Sequence, residues 1–562
     1  MTSRKKTDER IIQQEVAATT EPGAQRTSKK PKIWMIAVAL IVVILGTVGL
    51  TLAMQSSDSP KNAFFTAESK ALEDFKEDFN ERFGDYVKYS QKSSTEPLKM
   101  SMGISGSVEA SGEMANSPDV QMAKAMLDSA SLQINMGQNY EAEELYGNLE
   151  VLMGDSPLFS GEFTQTADII GISVPDFYEE YLYVPNDQFG EFMTKLDPTY
   201  SGPEQLNVAS YLMTDYREFL PTDEEWDHIL KSYGKDYFYE QLKEEQFTMK
   251  ENVKFEHAGT SMDVKEVTLN LTPEEVKPLF VGYLEKMRDD EKVKAMIERQ
   301  MEHANEVIIQ QGQLEGFDPE MAGMMIPTEE VLNDWETSID EMITDLEESP
   351  AAPGLTYTIK VNDENIVDRH IELSDDTESM VLHTQNIETG KDATYHLVDM
   401  TVNDENGLKL ETEGAATENG YEETTTITLK DAATGDMSAQ LDGSYPEADD
   451  APNTYTLTFN DPTTGDPVTL SLDHTFNFDK KAGTVNEKID LNFNADFIMP
   501  GMTLGLLMDI NTEFTEDIGL PDPTQGTNVA ELSDEEFQQI MIEMQTNAGL
   551  FLEQFMGGMS AF

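Results

Sequence analysis

The chain has 562 residues, 39% of them apolar, enough to bury a sizeable core and, at roughly 100 to 200 residues per domain, to form two or three domains. Its 107 acidic and 38 basic residues give a net charge of −69, which argues against nucleic acid as a partner, because phosphate recognition needs clustered Lys and Arg. With no cysteine, disulfides, thiolate zinc sites, thiol nucleophiles and lipid-modified cysteines are excluded.

The charge is unevenly divided. Residues 1–32 hold eight Lys or Arg and four Asp or Glu, a net +4, which leaves −73 on the remainder. This tail is rich in Thr, Ser, Gln and Lys and reads as a disordered cytoplasmic segment. From Ile33 to Met54 follow 22 residues without a charge, which as a helix would span about 33 Å against a hydrocarbon core of about 30 Å. Lys29, Lys30 and Lys32 precede this stretch and the first charge after it is Asp58, so the positive-inside rule predicts a single-pass signal-anchor in the cell membrane. The bilayer is then a partner through residues 33–54, with the N-terminus cytoplasmic and the rest extracellular. A cleaved signal is the competing reading, with Thr51 and Ala53 as small residues near a cleavage site.

Beyond the span, Ser59 and Pro60 predict the start of a helix whose apolar residues Leu72, Phe75, Phe79 and Tyr86 recur at helical spacing to about Lys92. A first β region follows, with alternation at Leu98, Met100, Met102, Ile104 and Val108, then Leu132 to Met136 and Leu149 to Met153, ending at Tyr181–Pro185. Helices are predicted from Phe189 and from the capping box Thr222–Glu225. Strands are predicted over Gln246–Phe255 and Met262–Leu271, then a helical stretch from Thr272 to about Glu348, broken around Gly312–Pro327. From Pro350 to about Asp517, short alternating segments such as Tyr357-Ile359-Val361 are separated by glycine-bearing turns, including Asn406-Gly407, Asn419-Gly420 and Ala482-Gly483. This reads as an antiparallel meander of about ten strands, apolar on one face and wet, with Thr, Asp and Asn, on the other. Ser533 and Glu536 open a last helix.

The predicted fold is therefore α+β: an N-terminal transmembrane helix, then antiparallel curved sheets or half-barrels with long helical insertions. The expected regions are the tail (1–32), the span (33–54), a mixed β and helical extracellular region (55–350), the meander (351–520) and a C-terminal helix packing on the β region (521–562).

No pattern of chemistry emerges. None of the seven histidines forms an HExxH pair. His303 and Glu306 share a helical face at the spacing of carboxylate-bridged metal sites, but the further inward carboxylates such sites need are not evident, and a solvated face is the simpler reading. Gly103-Ile104-Ser105-Gly106-Ser107 lacks the second glycine of a nucleophile elbow. The acidic run Asn403–Gly407 does not alternate as a calcium loop does and reads as a hairpin turn. No catalytic, cofactor or metal site is expected, and monovalent or divalent cations would be held only weakly by the acidic surface. The 31 methionines suit either an irregular core or an adaptable apolar pocket, and Met324, Met325 and Ile326 are the candidate apolar-ligand contacts. The expected function is a non-enzymatic membrane-anchored envelope protein acting as scaffold, sensor or interaction module. The alternative is a carrier or binder of a lipid or other apolar ligand, and third comes a hydrolase without a recognised motif.

The plan resembles uncharacterised membrane-anchored extracytoplasmic proteins of Gram-positive bacteria. The strand series from Leu98 to Val184 running into a helix, and the meander from Leu355 to Ile510, are also similar to the LolA-like and LppX-like lipoprotein carriers. That resemblance implies a curved sheet wrapped around an apolar cavity partly plugged by helices. The chain departs from those carriers in having no lipobox cysteine and in its longer helical insertions.

Overall fold

In the computed structural model, residues 59–559 are described apart from internal segments, of which 207–220, 316–324, 461–466 and 495–500 are the longest. Helix α1 (Pro60–Ser93) begins where predicted: Pro60 fills its first position and the Ser59 side chain accepts a hydrogen bond from the Asn62 amide, satisfying an otherwise orphan donor. Strands β1 (Leu98–Ala110), β2 (Ala130–Asn139), β3 (Glu144–Met153), β4 (Ser156–Gln165), β5 (Ile169–Val174) and β6 (Tyr178–Pro185) follow, with helix α2 (Pro118–Ser129) between β1 and β2. Next come β7 (Phe247–His257), β8 (Thr260–Leu271) and helices α3 (Pro273–Arg288), α4 (Glu291–Glu315) and α5 (Thr328–Glu348).

The meander comprises eleven strands: β9 (Gly354–Asn362), β10 (Asn365–Ser374), β11 (Ser379–Gly390), β12 (Ala393–Val402), β13 (Asn406–Thr417), β14 (Gly420–Lys430), β15 (Met437–Pro446), β16 (Asn453–Asn460), β17 (Pro467–Asp479), β18 (Thr484–Asn494) and β19 (Met502–Phe514). The short β20 (Thr527–Asn528) and helix α6 (Asp534–Met559) end the chain. Gly483, at φ +68°, takes the left-handed conformation that turns β17 into β18. At the β12–β13 hairpin the left-handed residue is Asn403, φ +56°, so Asn406-Gly407 lies inside the next strand rather than at the turn.

All twenty strands belong to one sheet. Neighbours from β7 through β19 pair antiparallel in chain order; β19 then pairs with β1, and β1 leads through β2, β3, β4 and β5 to β6, beside which β20 lies parallel. Among the described residues no pairing joins β7 to β6 or β20. The main core lies at the β7–β10 end, where Val267, Leu269, Tyr357, Ile359 and Ile371 on one face meet Phe64 and Phe65 of α1, Val276 and Phe280 of α3, and Ile339 of α5. A smaller core on the opposite face joins Phe255, Val264, Val367, Ile387, Tyr395 and Leu397. It lies where β7 and β10 carry register shifts that bend a strand and re-aim its side chains.

This corrects the predicted fold class. The two β regions are not separate sheets or half-barrels with helical insertions between them; β1 and β19 pair over thirteen residues and weld them into one surface, with α1, α2 and α6 laid on it. Alternation in a sequence marks a strand, but it carries nothing about a partner some 400 residues away. The helix-anchored, single-pass expectation is also corrected. Among the described residues no helix is long and apolar enough to cross a membrane, and the segment Ile33–Met54 lies outside those residues, as does the 1–32 tail. The cell-membrane, signal-anchor localisation built on that segment is withdrawn with it.

Candidate apolar binding hollow

Residues directly opposite one another in a ladder project to the same face, so one face can be followed through the registers from strand to strand. Helix α1 lies on this face and is anchored at both ends. Near its start Phe64 packs edge-on against Tyr357 of β9, ring centroids 4.8 Å apart, and against Phe247 of β7 at 5.5 Å. Near its end Tyr89 meets Phe476 and Phe478 of β17 and Phe514 of β19, with its hydroxyl 3.0 Å from Thr512 Oγ1. Gln138 of β2 donates to the Ser93 carbonyl at 2.7 Å. The 25 residues from Phe64 to Tyr89 cover about 37 Å of helix, and the eight strand steps from β9 to β17 about 38 Å of sheet, so α1 crosses the strands from one anchor to the other.

The middle of α1 supplies a roof. Phe75, Phe79 and Phe83 form a row of rings with centroids 6.5 and 5.2 Å apart. At about 100° per residue, Phe75 lies about 40° and Phe79 about 80° around the helix from Tyr89, on the side turned to the sheet. They are nevertheless 65% and 44% exposed, and Phe83 is 50% exposed. An apolar stripe aimed at a sheet and still open to solvent marks a gap between the two.

The floor is an apolar band running across the strands. Successive partners are Met400 and Leu408, Leu410 and Ile427, Leu429 and Met437, Leu457 and Leu470, Leu491 and Leu506, then Leu504 and Val108. Ile104, Leu132 and Val151 continue it. From β12 to β3 it crosses ten strand steps, about 48 Å, longer than the ~30 Å hydrocarbon thickness of a bilayer. Val398, Met400, Leu429, Met437, Phe459, Leu504 and Leu506 on it are all exposed. Toward its β3 end α2 lies over β1, and just beyond it Phe551 of α6 packs against Phe159 of β4 and against Phe177.

Beside the band, on the same face, runs a polar row. Thr394 and the Tyr421 hydroxyl are 2.7 Å apart, Thr412 and Thr425 2.8 Å, and Tyr445 donates to Glu423 at 2.5 Å. Burial, reinforced by Glu423, raises the Tyr445 pKa, so the phenol stays protonated. His396 is solvent-accessible yet deep enough in the hollow that desolvation lowers its pKa, and Arg82 of α1 lowers it further, against the opposing Glu423 and Asp78. At neutral pH its imidazole is uncharged.

Of the residues singled out in the sequence, Met325 is half-buried just ahead of α5, while Met324 and Ile326 lie outside the described residues. His303 Nδ1 lies 3.6 Å from Glu306 across one turn of α4. Gly103–Ser107 is plain strand within β1, and Asn403 begins a hairpin turn. Among the described residues no group of three or more His, Asp or Glu side chains is placed to hold a metal ion. A cleft of about 410 Å³, lined by Lys99, Ser101, Asn135, Tyr146, Asn486 and Asn511 among others, lies largely on the opposite face, since these residues alternate with those of the band. The helical stripe of Phe75 and Phe79 was legible as periodicity; that it roofs a gap instead of entering a core had no signal of its own.

No family model and no curated protein matches the sequence. Solved structures to which the chain is similar are OpdQ of Pseudomonas aeruginosa (6% identity, 74% of this chain and 96% of that one, TM-score 0.19) and OccAB4 of Acinetobacter baumannii (8%, 75% and 98%, 0.17). A third is the CymD monoaromatic hydrocarbon channel (7%, 74% and 88%, 0.12). TM-scores so far below those of a shared fold do not place the chain in any family.

Proposed function

We propose that this protein binds, and carries or conducts, the hydrocarbon of a lipid or a similar elongated apolar ligand, held between α1 and the sheet. One observation supports this above the rest: Phe75 and Phe79, on the side of α1 turned to the sheet, and the band through Leu429, Met437 and Leu504 on the face that α1 crosses are all left exposed. Apolar surface left open on a monomer over such a length marks an interaction site. Each methylene withdrawn from water contributes about 0.8 kcal/mol, so ten of them supply about 8 kcal/mol before ordering costs.

The test is titration of the purified full chain with an uncharged naphthylamine probe whose fluorescence rises in apolar surroundings. Phe79→Asp and Leu429→Asp should each weaken binding about tenfold or more. Ile542→Asp, on the exposed side of α6, is the control. Failure of the wild-type chain to bind, or equal binding by all three variants, would overturn the reading.

A further inference from the structure

Resting on that reading, we infer that the hollow selects amphiphiles whose head group is uncharged and hydroxyl-bearing, such as a glycosylated diacylglycerol, over anionic phospholipids. The band accepts any hydrocarbon; the polar row beside it sets the head group. That row is built of hydroxyls already ordered by one another, Thr394 with Tyr421 and Thr412 with Thr425, and by the Glu423 carboxylate that holds Tyr445. Neighbouring hydroxyls that donate and accept suit the hydroxyls of a sugar or glycerol, which do both.

The same row is poorly suited to a phosphate. Phosphate recognition relies on Arg forks or clustered Lys. Arg82 is the cation whose field reaches His396, Tyr445 and Tyr455, and it shares that space with Asp78 and Glu423. Deprotonated His396 adds no charge. The chain around them carries −69, so an anionic head group would enter against both the local carboxylate and the overall field, whereas a neutral one pays neither cost. Charge complementarity thus favours a neutral ligand at the position where the band would bring its head group.

The experiment is competition on the purified full chain between glucosyl diacylglycerol and phosphatidylglycerol with identical acyl chains, offered at equal concentration in mixed micelles and read by native mass spectrometry at low and at 0.15 M salt. The expected result is about a tenfold or larger preference for the glycolipid, widest at low salt because screening weakens the repulsion. Glu423→Lys should shrink that ratio by reversing the local charge, and Glu423→Gln, which keeps an acceptor for Tyr445, should change it less. Equal or stronger binding of phosphatidylglycerol would overturn the head-group inference and leave hydrocarbon binding standing. Binding of neither lipid would overturn both.

Discussion

Glu68 of α1 and Arg369 of β10 form a forked ion pair, Nη2 to Oε2 at 2.7 Å and Nε to Oε1 at 3.2 Å, at a point where the glutamate has no solvent exposure. Tyr357 donates to the same carboxylate at 2.6 Å, and burial first, then Glu68, keeps its pKa far above the ordinary value, so it remains a donor. This pair fixes the first third of the helix to the sheet and thereby fixes the height of the roof over the hollow. Arg369→Ala should cost about 3 to 5 kcal/mol, because it strands a buried carboxylate, whereas Glu68→Leu with Arg369→Met should recover most of the loss. Urea denaturation of both variants checks this; a double variant as unstable as the single one would count against the assignment.

A second prediction concerns acid. Asp368, nearly buried, accepts from Gln385 at 2.8 Å, from Lys360 at 3.0 Å, and pairs with His383 at 2.9 Å. Burial, the largest single influence, acts to raise its pKa, but these partners together outweigh it and hold the group below the ordinary carboxylate value. A depressed folded-state pKa stabilises the native state fully above the unfolded value of about 3.9 and loses that stabilisation as the pH falls toward the folded value. Asp368→Asn should therefore melt below the wild type at pH 7 and by a smaller margin at pH 3, where part of that stabilisation has been lost. A gap of constant size across that range would show that the carboxylate's charge is not the source.

Charge at longer range gives a third prediction. A chain with net −69 repels itself, and salt screens that repulsion over about 10 Å at 0.1 M, so the melting temperature should rise with NaCl. Calcium and sodium at matched ionic strength should act alike. A much larger effect of millimolar calcium would reveal a specific site that neither the sequence nor the described side chains display.

The local structure was largely legible in the sequence. The capping boxes Thr222–Glu225 and Thr272–Glu275 both form, Ser533 and Glu536 exchange hydrogen bonds at the start of α6, and the alternation at Tyr357, Ile359 and Val361 is a strand with those residues buried. Such signals are carried by neighbours in the chain, where periodicity and capping act. What joined distant parts was not legible. Nothing local in Leu98–Ala110 or Met502–Phe514 says that they pair, and β alternation reports which side chains share a face without reporting what covers it. Leu429 and Tyr357 look alike in sequence; one is exposed over a hollow and the other is buried beneath α1. The candidate site is therefore a property of how a long helix crosses the sheet.

That difference yields the last prediction. Phe64 and Phe79 lie on one helix, but Phe64 is 1% exposed within the main core and Phe79 is 44% exposed over the gap. Phe64→Ala should cost about 3 to 5 kcal/mol of stability, as truncation of a buried aromatic does, while Phe79→Ala should stay within about 0.5 kcal/mol of the wild type. Ligand binding should respond in the opposite sense, with Phe79→Ala weakening it and the folded fraction of Phe64→Ala retaining it. Because the chain has no cysteine, a single Phe79→Cys bearing an environment-sensitive dye reports on the gap without background. Its emission should shift to the blue when diacylglycerol is added, and the same dye at Glu422→Cys, on the opposite face of β14, should not respond. If Phe79→Ala destabilises the protein as much as Phe64→Ala, the stripe is part of the core and there is no hollow to fill.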